Sequence, residues 1–357
     1  MATIAITGAS GFIGRRLVAA LERRGDVDRI VGIDRLAPQG STSRKLVFRQ
    51  GDVCDGDLAE AFRGVDVVIH LAFRDDPAHD EAAMRRVNVD GTINVFAAAH
   101  AAGVPRVIYT SSVTAYGAHP DNDLPLTEDS PIRGTPGLTS AEHERQIEAW
   151  LWPWLADHAG VDVAVLRLAA VLGPGLQNAL SRMLESPRLT IVKGHKPPLQ
   201  FVHLDDAVGA IVHVLDHGLT GAYNVCAEGW LSFDEVTAIA SKRTLELPEE
   251  VAFSAAERLW KMGVGEQPPG LVRHLMYPWV MSADRLIATG WRPERSNRDA
   301  LAETVGEHAG YVAVAGVRAQ RSAIRGTLSA LAGVIGFVVL RSWRRRRRRR
   351  DVVEVTS

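Results

Sequence analysis

The sequence predicts an α/β fold: a doubly wound parallel sheet with a smaller C-terminal lobe. Three observations predict it. A short apolar run, Ile4-Ala5-Ile6, is followed by Gly8, Gly11 and Gly14 at spacing three, and then by Phe12, Ile13, Leu17, Val18 and Leu21 on one helical face. Apolar strand-like runs then alternate with helical patterns as far as Leu168, as parallel strands with helices on both faces require. From about Val171 to Pro198 the alternation weakens, with Gly173-Pro174-Gly175 and Pro197-Pro198 as breakers.

The first segment reads as strand, glycine turn, helix, the opening unit of a Rossmann sheet. Glycine accepts positive φ and lets the backbone approach a ligand closely. The helix N-terminus then offers free N–H groups and a positive dipole end to a pyrophosphate. Arg29–Asp34 reads as the second strand. Asp34 lies 26 residues after Gly8, where an acid can accept hydrogen bonds from an adenosine ribose, which favours NAD over NADP. It also reads as a turn aspartate that caps the strand end, and Arg35 beside it would suit a 2′-phosphate, which keeps NADP open.

Leu46–Phe48 is a third strand, running into Gly51-Asp52-Val53, and Val65–Leu71 a fourth. A helical stretch spans about Ala82 to Ala102. Arg106–Tyr109 is a fifth strand, leading into Thr110-Ser111-Ser112-Val113-Thr114-Ala115-Tyr116-Gly117. A helix begins near Thr139 and a sixth strand, Val161–Leu168, follows it. Gln200–Leu204 and Ala222–Cys226 read as strands, and Ser232–Leu245 as a helix. The expected division is residues 1–170, with 200–228 returning to them, then a lobe of 171–199 and 229–300, and a helical connector over 301–325.

At 357 residues the chain can bury a large core. Its net charge of -1 hides an asymmetry: Arg341 and Arg344–Arg350 leave residues 1–340 with 33 basic and 40 acidic groups. Nothing in such a mildly acidic body points to a nucleic-acid surface. Cys54 and Cys226 make no disulfide framework, which points to a reducing compartment, and no signal peptide is read ahead of the first strand. No His, Cys or acidic cluster has metal-ligand spacing.

Together these residues resemble the extended short-chain dehydrogenase/reductase family, the NAD-dependent epimerase/dehydratase type, over roughly residues 3–300. Thr7-Gly8-x-x-Gly11-x-x-Gly14 is similar to its cofactor turn, Gly51-Asp52-Val53 to its adenine-contacting segment, and His70-Leu71-Ala72 to the loop beneath the cofactor. Asn88-Val89-Asp90-Gly91-Thr92, Ser111-Ser112 with Tyr116-Gly117, Leu166-Arg167, and Phe201-Val202-His203-Leu204-Asp205-Asp206 follow in the family's order. The resemblance implies NAD, with NADP as the alternative, held by Gly8, Ser10, Gly11, Phe12, Ile13, Gly14, Asp34, Arg35, Asp52, Val53, Leu71, Ala72 and Asn88. It also implies a small-molecule substrate of the nucleotide-sugar class, in a substrate lobe where Arg167, His203 and Arg285 suit an anionic or hydroxylated ligand.

Members of that family pair a serine or threonine with Tyr-x-x-x-Lys, the tyrosine exchanging a proton while hydride moves. Ser112 matches the serine, but the family's pattern of a small or His residue just before the lysine and a Glu four residues after it, met here by His143 and Glu148, implies Ser140 in the tyrosine slot and Glu144 in the lysine slot. No tyrosine lies between Tyr116 and Tyr223, and no lysine between Lys45 and Lys193. A serine hydroxyl is a much weaker acid than tyrosine, whose reference pKa is ~10, and a nearby carboxylate disfavours its ionisation further. Glu144 can still accept hydrogen bonds from ribose hydroxyls. The plain alternative is a capping box of Thr139 and Glu142, with Glu144 and Glu148 facing solvent. Tyr116 is a substitute acid or a pocket-lining residue, and His143, ~100° around the helix from Glu144, reads as a surface histidine. Two functions follow: an oxidoreductase or sugar-nucleotide enzyme with altered chemistry, or a non-catalytic dinucleotide sensor or scaffold.

Fifteen uncharged residues, Gly326–Leu340, precede Trp343 and the arginine run. As a helix they reach ~22 Å, short of the ~30 Å hydrocarbon core. Residues 326–343 therefore read as a shallow anchor and 344–357 as a basic tail on anionic headgroups, at the inner face of a membrane beside a cytoplasmic body. The alternative is a packing or homodimer helix with a solvated basic end.

Overall fold

The computed structural model describes residues 1–38, 43–74, 80–176, 179–263, 268–314 and 317–320. The anchor and basic tail expected over 326–357 lie outside the described residues. Among the described residues no helix is long and apolar enough to cross a membrane.

The first half of the chain runs β1 (Ala2–Thr7), α1 (Phe12–Glu22), β2 (Val27–Asp34), β3 (Leu46–Gln50), α2 (Leu58–Ala61) and β4 (Val67–His70). α3 (Glu81–Arg85) continues through a π-helical turn, Arg86–Asp90, into α4 (Gly91–Ala101). β5 (Arg106–Ser112), α5 (Thr139–Asp157) and β6 (Asp162–Leu168) follow. Then come β7 (Ala170–Leu172), α6 (Ala179–Glu185), β8 (Arg188–Val192), β9 (Phe201–His203), α7 (Leu204–His217) and β10 (Gly221–Val225). The chain continues through α8 (Phe233–Ala240), β11 (Arg243–Leu247), α9 (Glu249–Lys261), α10 (Leu271–His274), α11 (Asp284–Ile287) and α12 (Asn297–His308), then the hairpin β12 (Tyr311–Val314) and β13 (Val317–Gln320).

Seven strands pair in the order β10-β6-β5-β4-β1-β2-β3, every neighbour parallel. Alternate residues face opposite sides of such a sheet, and here both sides are buried. Ile4, Ile6, Ile108 and Leu166 pack with Leu17 of α1 and Ile211 of α7 on one side. Ala5, Val68, Val107 and Val165 pack with Phe96 of α4 and Leu151 of α5 on the other. Each fully buried aliphatic side chain contributes about 1.5–3 kcal/mol over its exposed state. A separate core of Leu172, Leu189, Phe233, Val236 and Leu301 forms around the later elements.

Three elements differ from the sequence reading. The helix expected over Ser232–Leu245 starts with a capping box of Ser232 and Glu235 but ends at Ala240, where Ser241 takes a left-handed φ of 51°. Its last residues instead form β11, which pairs in parallel with β8. β9 pairs with β7 outside the seven-stranded sheet, and α7 with β10 makes the return to it. The connector is helical only to His308 and then turns into the β12–β13 hairpin.

Candidate active site

The glycine turn joins β1 to α1. Gly8 has φ 74° and its N–H donates to the Ile33 carbonyl at 2.9 Å. A Cβ on Gly8 would stand 2.8 Å from the Ala72 nitrogen, and one on Gly14 2.2 Å from the Gly8 oxygen. The missing side chains thus let the turn, the segment after β4 and α1 close on one another. Gly11 caps α1 without a side-chain hydrogen bond, and no acid lies in the first turn. The amides near Phe12 and Ile13 and the positive helix end therefore suit an anion.

Asp34 ends β2 and accepts from the Ser10 N–H at 3.0 Å and the Leu36 N–H at 3.3 Å. It does brace the strand end, yet a carboxylate with two backbone partners retains acceptor capacity for ribose hydroxyls. Arg35 is 65% exposed and lies 3.7 Å from Asp52. Asp52 accepts from the Cys54 N–H at 3.1 Å, and Val53 is buried where a Cβ on Gly91 would lie 2.6 Å from it. These residues fit a dinucleotide.

The floor is held by two buried polar groups. Thr7 Oγ1 lies 2.6 Å from His70 Nδ1, and Thr92 Oγ1 lies 2.9 Å from Nε2. Burial lowers the His70 pKa to about 3, so it is a neutral clamp between β1, β4 and α4. Leu71 and Ala72 follow directly. Asn88, in the π-helical turn, accepts from the Arg74 N–H at 2.7 Å, donates to the Arg74 carbonyl at 3.0 Å and lies 3.3 Å from His143 Nδ1. Asn88 is fully buried and shapes this wall through Arg74.

Ser112 ends β5. Its Oγ accepts from the Thr114 N–H at 3.1 Å and lies 3.1 Å from Thr114 Oγ1. Thr114 Oγ1 in turn donates to the Glu144 carboxylate on α5. Ser140 stands one turn earlier and is buried. The solvent-facing alternative for this helix is corrected: Glu144 is 5% exposed, Glu148 1% and His143 4%. Thr139 and Glu142 form no capping box, since Leu138 is the N-cap, Thr139 Oγ1 donates to Glu81 at 3.2 Å and Glu142 accepts from Arg145. α5 packs on one side against β5 and on another against α3 and the π-helical turn, and His143, Glu144 and Glu148 are buried there. Burial lowers the pKa of His143.

Tyr116 does not reach an open site. It is fully buried, donates to Asn224 at 2.7 Å and accepts from Arg167 Nη1 at 2.6 Å. Burial, against the pull of Arg167, pushes its pKa up to about 12, which corrects the substitute-acid expectation. Arg167 is equally committed: Nη2 meets Glu148 at 2.6 Å and Nε meets both Glu148 oxygens at 3.1 Å, so it supports the fold and does not face a ligand. His203 is also buried. Its Nδ1 accepts from the Asp205 N–H at 3.2 Å and so caps α7, with Nε2 3.2 Å from Glu303. Arg285 remains partly exposed, bonded to Asp129 at 2.8 Å and 3.7 Å from Glu128.

Residues 4–226 match the profile of the NAD dependent epimerase/dehydratase family. The chain belongs to this family. An uncharacterized protein of Mycobacterium tuberculosis is 29% identical over 253 residues, 69% of this chain and 67% of that protein. Among solved structures, MoeE5 in complex with UDP-glucuronic acid and NAD superposes with a TM-score of 0.68 at 22% identity, over 86% of this chain and 99% of that one. The UDP-glucose 4-epimerase of Thermus thermophilus with NAD gives 0.67 at 23% identity, again over 86% and 99%. Glu144 approaches the end of β5 through Thr114, which lies beside Ser112. Thr114 was missed, and a hydroxyl two residues after Ser112 was the available signal.

Proposed function

We propose that this protein is an NAD-dependent oxidoreductase of the nucleotide-sugar epimerase/dehydratase type, in which Ser112, Thr114 and Glu144 handle the proton in place of Tyr-x-x-x-Lys. The bond from Thr114 Oγ1 to Glu144, next to Ser112, carries the proposal. The dinucleotide, held by the glycine turn and Asp34, supplies hydride acceptance and donation when bound. The chain supplies the rest. A substrate hydroxyl passes its proton to Ser112 Oγ as Ser112 passes its own to Thr114 and Thr114 passes its own to Glu144. General-base help of this kind contributes about 10²–10⁴-fold. The nucleotide-sugar class is supported by the family and by the ligands of MoeE5, and Arg285 offers a partly exposed guanidinium to the anionic part of such a substrate.

A second function, a dinucleotide sensor or scaffold, is favoured by the burial of Tyr116 and Tyr109 and by Ser112 bonding to Thr114 with no tyrosine hydroxyl hydrogen-bonded to it among the described residues. One assay separates the two. The full chain is incubated with NAD and a set of uridine- and thymidine-diphosphate sugars, and products are read by mass spectrometry. Turnover that falls on Glu144→Gln supports the enzyme; NAD binding without any turnover supports the sensor. The apolar stretch and arginine run beyond residue 325 support, in either case, a shallow attachment to an anionic membrane.

A further inference from the structure

The turn Gly173-Pro174-Gly175 follows β7 and lies against the first residue of α1. A Cβ on Gly175 would stand 3.9 Å from the Phe12 ring, next to the amides that suit a pyrophosphate. At the other end of the turn, a Cβ on Gly173 would stand 2.9 Å from Leu204 Cβ and 3.4 Å from His203 Nε2, where α7 begins. Both glycines take positive φ, 152° and 76°. With a rigid proline between them, they make a segment that can pivot at two points. α12 holds this turn from outside. Both carboxylate oxygens of Glu307 accept from the Gly175 N–H at 2.8 Å. One helical turn earlier, Glu303 comes within 3.2 Å of His203 Nε2.

The inner face of α12 is rooted elsewhere: Ala300 and Leu301 pack with Leu189, Phe233 and Val236 in the core of the later elements. Glu307 itself is exposed. Its bond to Gly175 therefore ties that second core to a turn at the cofactor helix, and the bond needs an acceptor oxygen, whatever its charge. We propose that Glu307 latches the Gly173–Gly175 turn over the pyrophosphate amides of α1 and so gates entry and exit of the dinucleotide. With the bond made, the turn stands over the path. With the bond broken, the two glycines let it swing aside. The latch sets how often the path is open and makes no contact with the dinucleotide, so it acts on association and dissociation alike. One exposed hydrogen bond has a small net strength, which suits a latch that opens at each exchange. The inference rests on the dinucleotide reading of the glycine turn and is independent of the proton relay.

Stopped-flow fluorescence of NADH with the full chain tests it, by direct mixing for association and by displacement with excess NAD⁺ for dissociation. In Glu307→Ala both rate constants are expected to rise about 3–10-fold, with the dissociation constant unchanged. Glu307→Gln keeps an acceptor oxygen and stays near the wild-type rates. Rates unmoved in Glu307→Ala overturn the proposal, and so does a glutamine variant as fast as the alanine one. Faster release without faster capture also overturns it, because Glu307 would then be part of the binding site and not a gate. Each of these results leaves the dinucleotide site standing. Failure of the wild type to bind NADH or NAD⁺ overturns the site and the latch together. Should Glu307→Ala not fold, Glu307→Met, which keeps the length of the side chain without an oxygen, gives the same reading.

Discussion

Thr114 donates its hydroxyl hydrogen to Glu144, and this bond ties the end of β5 to the middle of the buried face of α5. It brings a carboxylate within two hydroxyl groups of the point where a substrate would meet Ser112. If that relay moves protons, Thr114→Val and Glu144→Gln should each lower turnover about 10²-fold or more and leave substrate affinity largely unchanged. Steady-state kinetics on both variants check this. A loss in KM alone would mean that the two residues only shape the pocket.

Gly8 should tolerate no side chain. Its φ of 74° disfavours an L-residue, and an added Cβ meets backbone at 2.8 Å. Gly8→Ala is expected to cost about 1–3 kcal/mol of stability and to abolish dinucleotide binding, measured by thermal denaturation and by calorimetry. Unchanged binding would move the cofactor away from this turn.

Arg167 and Glu148 form a buried ion pair at 2.6 Å, with side chains 4% and 1% exposed. Removing one partner strands the other, at a cost of about 3–5 kcal/mol. Arg167→Met should therefore destabilise the protein more than Tyr116→Phe, which loses the hydrogen bond to Asn224 and the one from the charged Arg167 at about 1.5–3 kcal/mol. Chemical denaturation compares the two. A stable Arg167→Met protein with lost substrate binding would return Arg167 to the substrate site.

Acid should weaken the fold through its neutral buried histidines. His70 and His274 have folded pKa values of about 3 and about 4, both lowered chiefly by burial, while an unfolded histidine titrates near ~6.5. Below ~6.5 the unfolded chain binds protons that the folded chain refuses, so stability falls as pH drops towards the folded values. Each group contributes a loss of up to ~1.4 kcal/mol per pH unit in that window. Denaturation midpoints at descending pH check the slope, and nuclear magnetic resonance should find both rings neutral at pH ~5.

The C-terminal segment gives a separate expectation. Removing residues 326–357 should abolish sedimentation with anionic vesicles and leave the thermal transition of the rest intact. High salt should weaken attachment only in part, because it screens the arginines and not the burial of Leu331, Ile335, Phe337 and Val338. No sedimentation of the full chain at low salt would exclude the anchor.

The sequence by itself determined the sheet and its ligand edge. Local signals sufficed for Ile4 to Gly14 and for Asp34 at a strand end, whereas the register proposed for Glu144 came from the family resemblance. Apolar strands buried on both faces and glycine turns leave patterns that short-range sterics dictate. What Glu144, Glu148, His143, Tyr116 and Arg167 do was decided only by the tertiary structure. A polar side chain on a helix has the same local pattern whether it meets water or a partner. Glu148 is buried because Arg167 reaches it from β6, and Tyr116 is locked because Asn224 reaches it from β10. Such pairings join residues 19 and 108 positions apart in the chain, and whether desolvation is compensated is settled only where those strands and helices meet.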